Sequence, residues 1–218
     1  MRNNSTPIYL LTFVLLSMLL GGCAVKPIPT GPPCEVAPQV EDHWYNTGHI
    51  YQMRHEGVLQ FGDMTIPMTG LMKLNTKNGS ARIAILTSMG IKLLVLDLTK
   101  EGHDFLYTSP AADKIPGFKK GAVRAIRSVF LTPFPNKPDA CFEVDMVQHS
   151  VEENPDGQVQ FRMNRKTGDL LAKETDDWSV GYNNYAPIDK VRQPDEIQYQ
   201  DRSGRFSVTL KLISAKQK

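Results

Sequence analysis

Between residues 50 and 107 apolar and polar side chains alternate with a period of two, and few patterns restrict a fold more. In Ile50–Phe61, Tyr51, Met53, Leu59 and Phe61 share one parity, while Gln52, Arg54, Glu56 and Gln60 take the other. Successive strand side chains point to opposite faces, so this pattern predicts a half-buried strand. Met64–Asn75 repeats it with Ile66, Met68, Met72 and Leu74, and residues 81–87 repeat it with Ile83 and Ile85. Asn78-Gly79 is a hairpin signal, and Ser88-Met89-Gly90 and Lys100-Glu101-Gly102 are short turns leading into residues 91–98 and 103–107. Five strands joined this tightly predict an antiparallel meander.

One helical period follows. Between residues 118 and 131, Ala122, Val123, Ile126, Val129 and Phe130 recur every three or four positions, with Lys120, Arg124 and Arg127 opposite, until Pro133, Pro135 and Pro138 stop the pattern. Strands are expected again at 140–148, 159–164, Leu170–Glu174, 179–185, 196–201 and 206–213, separated by Asn154-Pro155-Asp156-Gly157, Lys166-Thr167-Gly168 and Ser203-Gly204. The fold class is therefore mainly β: a strongly curved antiparallel sheet, an incomplete β-barrel of about 10–11 strands, covered by one or two helices, because so wide a twisted sheet must curl. Its apolar parity lines the concave face. That gives a candidate hydrophobic cavity of Tyr51, Met53, Leu59, Phe61, Ile66, Met68, Met72, Leu74, Ile83 and Ile85, closed by Val123, Ile126 and Phe130. Two contents fit this face: a ligand held by adaptable thioethers, or an ordinary packed core.

The N-terminus has another character. Residues 1–22 carry one charge, Arg2, and an apolar run over residues 8–20 that is too short for a membrane span of roughly 20 residues. A basic start, a short apolar stretch and a small-residue exit make a secretory signal peptide. The exit Leu20-Gly21-Gly22-Cys23 resembles the bacterial lipobox, which implies cleavage before Cys23 and lipidation of that cysteine. Ala24, rather than Asp, resembles the pattern that sends lipoproteins to the outer membrane, facing the periplasm. Residues 23–42 then form a tether, rich in Pro27, Pro29, Pro32, Pro33 and Pro38, and residues 43–218 form the body. With Cys23 lipidated, Cys34 and Cys141 remain as a possible disulfide in an oxidising compartment, or as two separate thiols.

The tracts YQMRHEGVLQFG and ARIAILTSMGIKLLVLDL, the segment KGAVRAIRSVFLTPFP and the closing VGYNNYAPIDKVRQPDEIQYQDRSGRFSVTLKLI resemble the LolB family of outer-membrane lipoprotein receptors, over most of residues 45–213. The resemblance implies a half-barrel that holds the acyl chains of lipoproteins, or another lipid, and passes them to the membrane. It implies a soluble periplasmic carrier as partner and a membrane reached through the lipid anchor; a monomer is expected. It also places Leu94 and Leu96 on the cavity side and puts Met89, followed by Gly90, where the family has an apolar membrane-contact residue. Met89 tucked over the sheet edge is the alternative.

Charge and motifs exclude other classes. Lys+Arg is 25 against Asp+Glu 23, so no basic excess exists to drive nucleic-acid binding. Neither G-x-S-x-G nor H-E-x-x-H occurs, and Lys166-Thr167-Gly168 matches a β-lactamase element whose S-x-x-K partner is missing. His43, His49, His55, His103 and His149 show no ligand spacing. No catalytic residue, no metal and no cofactor is expected, and the alternative to a lipid carrier is an accessory lipoprotein that binds a protein partner.

Overall fold

The hairpin of β1 (Ile50–Phe61) and β2 (Met64–Asn75) forms over the residues that the alternation marks, and Met53 lies opposite Met72 and Leu59 opposite Ile66. The computed structural model describes residues 33–34, 43–45, 48–135, 140–154, 157–188 and 191–218. The expected signal segment, Cys23 and most of the tether lie outside the described residues. Gly31–Lys218 is one compact unit and contains every described element.

The meander continues through β3 (Ser80–Thr87), β4 (Lys92–Leu98) and β5 (His103–Thr108). A short helix α1 (Pro110–Asp113) is capped by the Ser109 hydroxyl, which accepts from the Ala112 amide at 3.1 Å. Helix α2 (Phe118–Ile126) runs straight into a π-helical turn, Arg127–Leu131, where the Thr132 amide reaches back to the Arg127 carbonyl at 2.9 Å. The chain closes with β6 (Ala140–Val144), β7 (Val147–Asn154), β8 (Gly157–Asn164), β9 (Leu170–Glu174), β10 (Trp178–Ile188), β11 (Val191–Asp201) and β12 (Phe206–Gln217).

All twelve strands form one sheet in the order β5-β4-β3-β2-β1-β12-β11-β10-β9-β8-β7-β6, antiparallel throughout. The class is the curved antiparallel sheet expected, with one strand beyond the upper count. Residues 140–148 are not one strand: the chain reverses at Asp145-Met146, with φ of 50° and 65°, and β6 folds back on β7. Curvature follows from the contacts. Strands β5 and β9 are eight steps apart in the sheet, about 38 Å if it were flat. Yet the turn before β5 and the inner face of β9 both bond to the end of one helix, through Arg127 and Lys173.

Candidate functional site

The helix lies over the concave face because its inner side is small and apolar: Ala122, Ala125, Ile126 and Val129 are buried there. Gly121 sets how closely it packs, since the Phe206 ring occupies the place a methyl group would need. Between helix and sheet is a cavity of about 60 Å3. It lies where bulk is missing. Gly70, paired with His55 across β1 and β2, lines it together with Ala122 and Ala125, and the larger side chains around them leave the gap. Leu59, Met68, Met72, Ile83, Ile85, Ile126 and Phe130 complete the lining with Val129, Phe206, Val208 and Leu210. Such a space equals roughly two water molecules by volume, but with almost no polar partner it suits apolar atoms instead.

Other residues expected in the cavity are placed differently. Tyr51, Met53, Leu74, Leu94 and Leu96 are buried in the continuous core without bordering the void, and Phe61 and Ile66 pack half-buried against that core. Val123 lies on the helix's other flank and borders an outer cleft. Five lining residues on the expected strands were not singled out, His55, Gly70, Phe206, Val208 and Leu210: residues 51, 53 and 55, residues 68, 70 and 72, and residues 206, 208 and 210 share the inward parity.

His55 is the polar exception in the cavity wall. Burial holds its imidazole down to about 4, so it is neutral at ordinary pH, and its ring sits 5.6 Å from that of Phe130.

The end of the helix is tied to both arms of the sheet. On one side Arg127 Nη2 donates to the Gly102 carbonyl at 2.8 Å. On the other, Lys173 Nζ donates to the carbonyls of Ser128, Val129 and Thr132 at 3.2, 3.1 and 2.6 Å, and the Tyr182 hydroxyl donates to that of Val129 at 2.7 Å. A helix C-terminus leaves carbonyls unpaired and carries partial negative charge, which explains why a lysine is tolerated in a core. Burial still pulls the Lys173 ammonium down to about 7.

A polar knot closes one end of the core. Arg192 binds Asp169 through two bonds of 2.6 and 2.8 Å, and Thr167 donates to the same carboxylate at 2.7 Å. Burial alone would raise the Asp169 carboxyl, but these donors outweigh it and hold it below the usual range. Buried His43 donates from Nε2 to the Thr167 carbonyl, 3.1 Å away, and Trp44 enters the core beside Phe130 and Tyr182. The Lys166-Thr167-Gly168 triplet is thus a hairpin turn on which residues 43–45 dock.

At the far tip of β3 and β4, Met89 is 81% exposed beside exposed Ile91. The Thr87 carbonyl accepts from the Gly90 amide at 2.9 Å, and Gly90 supplies the positive φ of 79° that the turn requires. Cys34 and Cys141 are joined as a disulfide, with Cα atoms 5.4 Å apart. Among the described residues, no three His, Cys, Asp or Glu side chains are grouped to hold a metal, and no helix is long and apolar enough to cross a membrane.

No protein-family model matches this chain, and no curated protein matches it. Solved structures do match. A domain named for outer membrane lipoprotein sorting, from Vibrio parahaemolyticus, aligns at 9% identity and TM-score 0.42, covering 82% of this chain and 88% of that one. A DUF1329 family protein from Desulfovibrio piger aligns at 9% identity and TM-score 0.42, covering 78% and 86%. A LolA superfamily protein from Nitrosomonas europaea aligns at 10% identity and TM-score 0.53, covering 81% of this chain and 88% of that one, and the chain is similar to it in fold.

Proposed function

We propose that this chain is a LolB-like outer-membrane lipoprotein, anchored through Cys23, that takes up acyl chains of lipoproteins or another amphiphile and releases them to the membrane without covalent chemistry. The observation that carries the reading is the apolar cavity between α2 and the sheet, lined by methionines and small residues. Each methylene moved into such a site gains about 0.8 kcal/mol. A space of about 60 Å3 is too small for an acyl chain, so uptake requires α2 to move away from the sheet. Its ties to both arms are hydrogen bonds, which can open and re-form. Met89, with Ile91 beside it, is the apolar tip that touches the bilayer during release.

The test uses the unit Gly31–Lys218 and a fluorescent lipopeptide. Saturable binding, weakened when Gly70→Val fills the cavity, is expected; absence of any binding overturns the reading. Met89→Asp should bind the lipopeptide as before and lose most of its transfer to vesicles. A second reading, an accessory lipoprotein that binds a protein partner, draws on the small cavity and on exposed Leu106 and Tyr107 along β5. It predicts no lipopeptide binding at all.

A further inference from the structure

The face of the helix turned away from the cavity is cationic. Lys119, Lys120, Arg124 and Arg127 project from α2 and its π turn into an open cleft of about 730 Å3, and Lys100 joins them from the turn before β5. Acids do not cancel this charge. Asp177 lies 3.8 Å from Arg124, and Asp113 pairs with Lys119 at 2.7 Å, but Lys100, Lys120 and Arg127 make no ion pair among the described residues. Arg127 spends Nη2 on backbone carbonyls, while its buried Nε has no acceptor among the described residues. The surplus is local, because the whole chain carries only +2. Like charges crowded on one wall raise the local concentration of anions.

The cleft is not purely ionic. Phe105 and Trp178 stand on its two sides, so it offers apolar surface next to the cations. The same helix borders the apolar cavity with its other face, so the two compartments are separated by about one helix diameter, roughly 10 Å. One class of molecule has ends that match both: an acidic headgroup carried on acyl chains.

We propose that the cleft is a headgroup subsite, which receives the phosphate of an anionic amphiphile while its chains occupy the space beneath α2. This rests on the carrier reading and adds a charge requirement to it. Lys100, Lys120 and Arg127 are the ligating groups, and Arg127 Nε is the donor that the headgroup satisfies. When Arg127 turns to the headgroup it gives up the Gly102 carbonyl, which loosens one of the two ties of the helix.

The experiment measures binding of two fluorescent probes with identical chains, a phosphatidylglycerol and a diacylglycerol, to the unit Gly31–Lys218. Phosphatidylglycerol should bind at least tenfold more tightly at low salt, and the preference should shrink in 0.5 M salt. Lys100→Glu combined with Lys120→Glu should abolish the preference and leave diacylglycerol binding unchanged. Lys100→Gln with Lys120→Gln, at two exposed positions, should reduce it by about half on a logarithmic scale if the first variant fails to fold. Equal binding of both probes to the unmodified unit overturns the headgroup subsite and leaves the carrier reading standing. Binding of neither overturns the carrier reading, and the subsite with it. Glycerol 3-phosphate binding as tightly as the lipid would make this a site for free phosphate and overturn the proposal.

Discussion

Lys173 Nζ stands 2.6 Å from the carbonyl oxygen of Thr132, joining the inner face of β9 to the end of the covering helix. A buried cation is costly, and replacing one with an apolar residue is sometimes neutral. Here the acceptors stay behind: removal of the ammonium leaves the Ser128 and Thr132 carbonyls without this donor, at about 1–3 kcal/mol for each group left unsatisfied. Lys173→Met should therefore lower the unfolding free energy by about 3 kcal/mol in denaturant titrations. Amide exchange should accelerate most over residues 127–132; uniform acceleration across the sheet would contradict the tie.

His55 gives a pH signature. Its folded value near 4 lies below the 6.5 of an unperturbed imidazole, because burial disfavours the charged ring. The unfolded chain therefore binds the proton first. Stability from this group is complete above pH 6.5 and is lost as pH falls toward 4, roughly 3 kcal/mol in all. His55→Leu should lack that slope in urea unfolding at pH 7, 5.5 and 4. Parallel curves for the two proteins would refute the assignment.

Gly121 sets two effects against each other. Alanine in mid-helix is worth up to about 1 kcal/mol over glycine. Its methyl would stand 2.5 Å from the buried Phe206 ring, and such overpacking costs about 1–3 kcal/mol. The clash should win, so Gly121→Ala should be less stable by about 1 kcal/mol, and adding Phe206→Leu should recover the loss. A Gly121→Ala protein that melts higher than the original would mean the helix packs less closely than described.

Cys34 and Cys141 close a loop across 107 positions. By loop entropy such a link stabilises by up to about 4–5 kcal/mol, and strain or denatured-state structure reduces this. Cys34→Ser with Cys141→Ser should lower the melting temperature to that of the reduced protein. Titration of the denatured, unreduced unit Gly31–Lys218 should find neither thiol free.

What was legible in the sequence was whatever repeats. Alternation in Ile50–Phe61 and Met64–Asn75 marks both the strands and the inward faces, and Asn78-Gly79 marks their next turn. The β6–β7 reversal was hidden because its left-handed positions are Asp145 and Met146, and methionine carries no turn signal. The cavity's position was hidden for a different reason. Parity tells which residues face inward, but a void depends on which small residues from distant segments border one space, as Gly70, Ala122 and Ala125 do here. Lys173 was equally opaque, since an inward lysine has meaning only once the carbonyls of the helix end stand opposite it. The cationic stripe of Lys120, Arg124 and Arg127 was visible as a helix face, but not as the wall of a cleft.

The disulfide has a bearing on assembly. An open sheet has two edges, here β5 and β6. Pro33 bridges to Phe142 on β6, and the Cys34 amide donates to the Cys141 carbonyl at 3.3 Å, so the half-cystine holds a short piece of chain against that edge. Proline has no N–H with which to pass the ladder on. Among the described residues the molecule is therefore monovalent for strand addition, with β5 as its uncovered edge. Two copies that met β5 to β5 would exhaust each other's valence, and growth would terminate at a pair instead of propagating into a fibre.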